Sequence, residues 1–196
     1  MRTILKILVL AGLIAPAAYA QGPVFAGLAP VFEAGGGYSY INTSVPSQNR
    51  IAMNGGFLTG NADFTRRFGV VADFGYARNP DVYAGHSADL LTYMVGPAYY
   101  PWRMRRLSVY TRLLLGGARE TGVNLKSDRR VVLGYVNRFA WAFGGGVQYH
   151  VTRSVSVRLG ADYLRTSFFT PEVTVAGQSG LRSTASVIYT FGGGHR

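Results

Sequence analysis

His86, Ser87 and Asp89 lie close together in the sequence and carry the three groups that nucleophilic catalysis uses. In that chemistry a hydroxyl attacks, an imidazole takes its proton and a carboxylate orients the ring, all in spatial register. Adjacent residues of an extended chain point to opposite sides, so His86 and Ser87 read more simply as polar loop residues. His150 and His195 are remote in sequence from this group, and three scattered histidines with no cysteine do not make a metal site. The glycine runs 35–37, 144–146 and 192–194 lack the spacing of a phosphate-binding loop. No catalytic residue, metal or cofactor is assigned.

A second set of charges is better ordered. Glu33, Asp63, Asp73, Arg112, Arg158, Asp162 and Arg182 all fall in stretches whose side chains alternate in character. The stretch FAWAFGGGVQYH, residues 139–150, shows the pattern. Phe139, Trp141, Phe143, Val147 and Tyr149 take one parity; Ala140, Ala142, Gly144, Gly146 and Gln148 take the other. Period two marks a β-strand with two unlike faces. Eight such strands are expected: 32–41, 52–64, 68–76, 90–100, 108–118, 139–150, 154–164 and 181–191. Each is about ten residues, the length a tilted strand needs to cross a bilayer.

The connections alternate too. Residues 65–67, 101–107 and 151–153 are short; residues 42–51, 77–89, 119–138 and 165–180 are long. Short turns on one side and long loops on the other is the layout of an up-and-down transmembrane barrel with periplasmic turns and extracellular loops. Strands two and four fit least well. Their alternation turns Met53, Phe57, Met94 and Tyr100 inwards, and Gly55-Gly56 is a place where a bulge would change the register.

Charge decides which face looks outwards. The apolar face of all eight spans carries no Asp, Glu, Lys or Arg, while the seven charges above share the opposite face. A soluble surface is about a quarter to a third charged, so seven charges among Gly and Ala are too few to meet water. Arg or Lys on a lipid face costs roughly 2–4 kcal/mol at the midplane, which explains their absence there. The aromatics sort by height. Phe32, Phe64, Phe68, Tyr99, Tyr149, Tyr189 and Phe191 fall towards one rim. Tyr38, Tyr40, Tyr76, Tyr93, Phe139, Trp141 and Tyr163 fall towards the other. Two girdles of rings mark the two interfaces of a membrane barrel. The seven charges then line a narrow interior, with Arg112, Arg158 and Asp73 at similar heights. They form a mutually neutralising network that plugs it or a filter for ions.

Residues 1–20 read as a secretory signal: Arg2 and Lys6, an apolar stretch from Ile7 to Ile14, and Ala18-Tyr19-Ala20 before Gln21. Its removal takes two of the 20 basic residues, against nine acidic, and leaves a chain of one-domain length. Residues 21–30 form a short leader, 31–191 the barrel domain and 192–196 a tail. A basic chain suggests nucleic acid, but export argues against that partner and towards anionic headgroups. Lys126, Arg129, Arg130 and Arg138 make the longest loop basic, suited to lipopolysaccharide phosphates or another anionic partner. The short turns carry Arg66, Arg67, Arg103, Arg105, Arg106 and Arg153, with inner-leaflet headgroups or peptidoglycan as neighbours.

The architecture, the terminal strand STASVIYTF at 183–191 and the stretch RLGADYLRT at 158–166 resemble the small outer-membrane barrels of the OmpA/OmpX type and porin-family β-barrel domains. The resemblance spans residues 31–191. It implies an all-β, eight-stranded antiparallel barrel in the outer membrane of a Gram-negative-type envelope. The terminal strand, with alternating apolar residues ending in Phe191, is similar to the signal read by the outer-membrane assembly machinery. Family members usually end at that aromatic, whereas five more residues come after it here. Some such barrels modify lipid A, and OmpA-type members often carry a peptidoglycan-binding domain after the barrel, for which this sequence has no counterpart. The expected role is structural or surface-interactive, as a non-enzymatic monomer among outer-membrane lipids and lipopolysaccharide. A narrow porin-like channel is the alternative, and a lipid A-modifying enzyme a distant third.

Overall fold

Alternation on this scale produces one closed sheet. The computed structural model describes residues 30–45, 48–83, 86–125, 131–166 and 178–191. They form β1 (Val31–Val45), β2 (Gln48–Asp63), β3 (Phe68–Tyr83), β4 (His86–Arg103), β5 (Leu107–Leu125), β6 (Val131–His150), β7 (Val155–Thr166) and β8 (Gln178–Phe191). Each strand pairs antiparallel with the next, and β8 returns to β1, so no edge is left open. The fold is the expected eight-stranded up-and-down barrel.

The strands run further than the alternation against lipid suggests. Residues 42–45, 48–51, 77–83, 86–89, 119–125 and 131–138, expected in loops, continue the hairpins at the loop end. Ladder hydrogen bonds do not need a lipid-facing side chain, so a hairpin can outlast the periodicity that lipid imposes. At the other end the turns 64–67, 104–106 and 151–154 are short, as expected.

Register explains the two awkward strands. No bulge occurs at Gly55-Gly56: β2 pairs with β1 without a break from Ile51↔Thr43 to Asp63↔Val31. Met53 and Phe57 do point inwards and are buried, as are Met94 and Tyr100. Apart from register shifts near the loop ends of the β1–β2 and β3–β4 ladders, the irregularity lies in β4, where the ladder to β5 steps from Tyr99↔Thr111 to Trp102↔Val109. Two residues, Tyr100 and Pro101, then stand opposite Tyr110 alone. Proline has no N–H to give the ladder and is tolerated at such a bulge. The extra residue reverses the parity of the last two positions of β4. Trp102 becomes 64% exposed, and Arg103 turns towards Asp63.

The outer wall is apolar. Leu58, Phe74, Val95, Leu115, Phe143, Leu159 and Val187 are all exposed on it. The interior has two zones. Towards the loop end Ile41, Met53, Ala77, Leu90, Met94, Ala118, Ala140 and Leu164 pack together and are buried. The rest holds all seven charges assigned to the inner face, interleaved with buried Val71, Ala98, Tyr100, Tyr110, Leu114 and Ile188. The interior is thus not lined by small residues and long polar chains alone: Met, Leu and Phe also fill it.

Candidate functional site

Four strands send one charged side chain each into the middle of the barrel. Asp73 comes from β3, Arg112 from β5, Asp162 from β7 and Arg182 from β8. Arg112 grips Asp162 with two bonds, Nε to Oδ1 at 3.0 Å and Nη2 to Oδ2 at 2.7 Å. Its Nη1 reaches Asp73 Oδ2 at 3.3 Å. Arg182 completes the circuit, donating Nη1 to Asp73 Oδ1 at 2.8 Å and Nη2 to Asp162 Oδ2 at 2.9 Å. The result is a closed ring, Arg112–Asp162–Arg182–Asp73, with charge neutrality and side chains at most 2% exposed. The guanidinium fork suits a carboxylate, and the alternation of sign answers each buried charge.

Two smaller groups sit below the ring, towards the short turns. Arg158 Nη2 donates to Glu33 Oε2 at 2.7 Å, and its Nε donates to Gln148 Oε1 at 3.0 Å. Gln148 Nε2 donates to Glu33 Oε1 at 3.2 Å. Arg103 pairs with Asp63, and Asn61 donates to Asp63 Oδ1 at 2.6 Å and to the Tyr100 hydroxyl at 2.7 Å. Tyr110 joins the layers: Arg158 lies 5.0 Å and Arg112 5.8 Å from its ring centroid. Arg103 stands over the Tyr100 ring at 3.7 Å. Of Arg112, Arg158 and Asp73, expected at similar heights, only Arg112 and Asp73 are partners, within the ring; Arg158 pairs with Glu33 instead. Five groups of this network are not assigned from sequence, among them Asn61, which has the inward parity of β2 but no charge. Tyr110 and Gln148 have the inward parity but no charge, Tyr100 looks like a misfit in its strand, and the bulge hides Arg103.

Glycine lets Asp162 approach the facing strand. Gly144 is opposite Asp162 in the β6–β7 ladder. A Cβ there would press on the Ala161 carbonyl oxygen and lie 2.6 Å from Asp162 Oδ1. Gly144→Val is expected to cost about 1–3 kcal/mol by overpacking, read as a lower urea midpoint of the folded gel band. Gly36→Ala, where the nearest side-chain atom would be Leu58 Cδ2 at 3.0 Å on the outer wall, is the milder comparison.

The other candidate groups are scattered over the barrel. Ser87 accepts a bond from Arg78 Nη2 at 3.3 Å, and Asp89 pairs with Arg78 Nε at 3.5 Å while accepting from the Tyr76 hydroxyl. The His86 side chain lies outside the described residues. His150 contacts Ser156 Oγ at 2.7 Å and Ser108 Oγ at 3.1 Å, and both hydroxyls are buried. The runs Gly35–Gly37 and Gly144–Gly146 lie within β1 and β6. Lys126, Arg129, Arg130, His195, the signal 1–20 and the tail 192–196 lie outside the described residues, whereas Arg138 is exposed.

The girdle residues face outwards. Tyr38, Tyr40, Tyr76, Tyr93, Phe139 and Tyr163 are exposed towards the loop end, and Phe64, Phe68, Tyr99, Tyr149, Tyr189 and Phe191 towards the turn end. Trp141 is half-buried against Tyr163, ring centroids 5.7 Å apart. Phe68 meets Tyr99 at 5.1 Å, and Tyr189 meets Phe191 at 4.8 Å.

A model of the outer membrane protein beta-barrel domain matches residues 7–191. No curated protein matches the sequence. Among solved structures, the Neisserial surface protein A is similar with a TM-score of 0.64 at 14% identity, over 82% of this chain and 97% of that one. Ail, the attachment invasion locus protein of Yersinia pestis, gives 0.60 at 13%, over 84% and 100%. The outer membrane protein OprG of Pseudomonas aeruginosa gives 0.57 at 14%, over 84% and 97%. At these identities the likeness is one of fold.

Proposed function

The chain belongs to the outer membrane protein beta-barrel domain family, and on that premise we propose that it is a non-conducting barrel of the outer membrane whose loop end serves as a binding surface. The observation that carries this reading is the Asp73–Arg112–Asp162–Arg182 ring across the interior, with apolar packing on its loop side. An eight-stranded barrel is about the size that side chains can fill. A salt-bridged, water-poor cross-section is a barrier to ions, since each charge already has its partner.

The binding surface is basic. Lys126, Arg129, Arg130 and Arg138 offer an anionic ligand phosphate or sulfate contacts, of the kind lipopolysaccharide presents. Ail has been solved in complex with the heparin analogue sucrose octasulfate, which is a polyanion. Loops on a rigid scaffold are where barrels of fixed shape vary their partners. The barrel is read as a monomer without enzymatic activity, exported by residues 1–20 and assembled through β8.

Planar-bilayer recording tests the plug. The expected result is no discrete, reproducible conductance step from the purified barrel. Regular steps would reject the plugged reading and favour the narrow channel. Trimming residues 121–136 should abolish binding to lipopolysaccharide and leave the folded gel band; undiminished binding would reject the loop as the surface.

A further inference from the structure

The short-turn end repeats one device. Phe64-Thr65-Arg66-Arg67-Phe68 and Val151-Thr152-Arg153-Ser154-Val155 share the order apolar, Thr, Arg, any residue, apolar. Their bonding is the same position by position. The amides of Phe64 and Thr65 both donate to the Phe68 carbonyl at 3.1 Å, and those of Val151 and Thr152 to the Val155 carbonyl at 3.0 Å. Thr65 Oγ1 accepts from the Arg67 and Phe68 amides at 3.2 and 2.9 Å. Thr152 Oγ1 accepts from the Ser154 and Val155 amides at 3.3 and 2.9 Å. A threonine hydroxyl closing a turn in this way fixes the backbone that carries the arginine. The third turn, Met104-Arg105-Arg106-Leu107, is closed by Met104 N to Leu107 O at 2.8 Å.

The turns are also tied to the sheet beside them. The carbonyls of Arg67, Arg106 and Ser154 accept from the amides of Tyr100, His150 and Thr190, each at 2.8 Å. Five exposed arginines, Arg66, Arg67, Arg105, Arg106 and Arg153, are thereby held around one end of the barrel, and none of residues 64–67, 104–106 and 151–154 is acidic. Apolar groups stand between them: Phe64 55%, Trp102 64%, Met104 66% and Val151 58% exposed. Peptidoglycan lies outside the bilayer and offers no acyl chains for such groups to enter. Rings and a thioether interleaved with guanidinium groups fit the boundary between acyl chains and phosphates, where the apolar parts dip into the bilayer and the charges stay at its surface.

We propose that the three periplasmic turns form a pre-ordered collar that binds the phosphates of anionic phospholipids in the inner leaflet. The arginine fork takes phosphate oxygens in pairs, and a fixed turn loses little freedom on binding. The collar is independent of the loop-end reading: it uses other residues at the opposite end of the barrel.

Trp102 sits inside the collar and reports on it. With Trp141→Phe as background, Trp102 is the only indole left, because the chain has two tryptophans. The barrel is reconstituted in vesicles of phosphatidylcholine and phosphatidylglycerol, with one or the other brominated, and Trp102 quenching gives the local lipid ratio. Phosphatidylglycerol is expected to be enriched at least about threefold at low salt. At about 1 M salt, where screening reaches only about 3 Å, the ratio is expected to approach one. Replacing Arg66, Arg67, Arg105, Arg106 and Arg153 together by Gln is expected to do the same at low salt. Should that variant fail to give a folded gel band, Arg105→Gln with Arg106→Gln, on the turn next to Trp102, is expected to halve the enrichment at least. Equal quenching by the two lipids in the unmodified collar would overturn the proposal. So would an enrichment insensitive to both salt and substitution, or arginine-dependent binding to murein sacculi with no lipid preference.

Discussion

Asp162→Ala is expected to lower the unfolding free energy by about 3–5 kcal/mol, the scale for stripping one partner from a buried charge pair. Asp162 receives four bonds, two from Arg112 and two from Arg182. Its loss leaves both guanidiniums on Asp73 alone, with one buried positive charge uncompensated. The measurement is the urea midpoint of the folded, faster-migrating band on unboiled detergent gels, across a series run in both directions. Arg158→Ala is expected to be milder, because Glu33 keeps the Gln148 amide as a donor. Asp73 and Asp162 share both arginines, so their effects will not add. Unchanged midpoints for Asp162→Ala and Arg158→Ala would reject the network as a stabiliser.

A charge on the outer wall should be as costly for a different reason. Leu159→Arg is expected to cost about 2–4 kcal/mol in a bilayer, the depth-dependent penalty for a guanidinium on a lipid face near the midplane. Leu159 is 52% exposed and takes the opposite face of β7 from Arg158 and Asp162. In a water-soluble barrel the same substitution at an exposed position would change stability by less than about 0.5 kcal/mol. The two substitutions therefore test opposite faces of one strand, and each leaves the chain more positive by one charge.

Much of this is legible in the sequence because lipid imposes a strict rule. A bilayer excludes charge from every second residue, so the parity of Asp73, Arg112, Arg158, Asp162 and Arg182 locates the interior without knowledge of any contact. Their partners are another matter. Period two says which face a side chain takes, not how far a guanidinium reaches; Arg158 on β7 meets Glu33 on β1 rather than Asp73. Arg103 is illegible as an inward residue because Tyr100-Pro101 bulges against Tyr110 and flips the parity after it. Residues 77–83 and 119–125 read as loop because Arg78, Asn79, Asp81, Arg119 and Glu120 break the apolar alternation there, although the ladder continues. Met53 and Phe57 read as errors of register only if the whole interior is narrow and polar. The loop side of that interior is packed with apolar groups, so their inward parity is correct.

The turn end shows the same limit from another direction. Arg66, Arg67 and Arg153 are visible as a basic cluster. That Thr65 and Thr152 close identical turns beneath them depends on bonds that no composition reveals.

Which side of the wall faces lipid is best measured on four consecutive residues of β8. Ala185 and Val187 are exposed, while Thr184 and Ser186 are buried. The chain has no cysteine, so Thr184→Cys, Ser186→Cys, Ala185→Cys and Val187→Cys each carry one label only. In vesicles of brominated lipid, fluorophores at 185 and 187 should be strongly quenched and those at 184 and 186 spared. Quenching at 184 and 186 with 185 and 187 spared would mean that the apolar face lines the interior, and it would contradict the lipid-facing wall, the charged plug and the collar together.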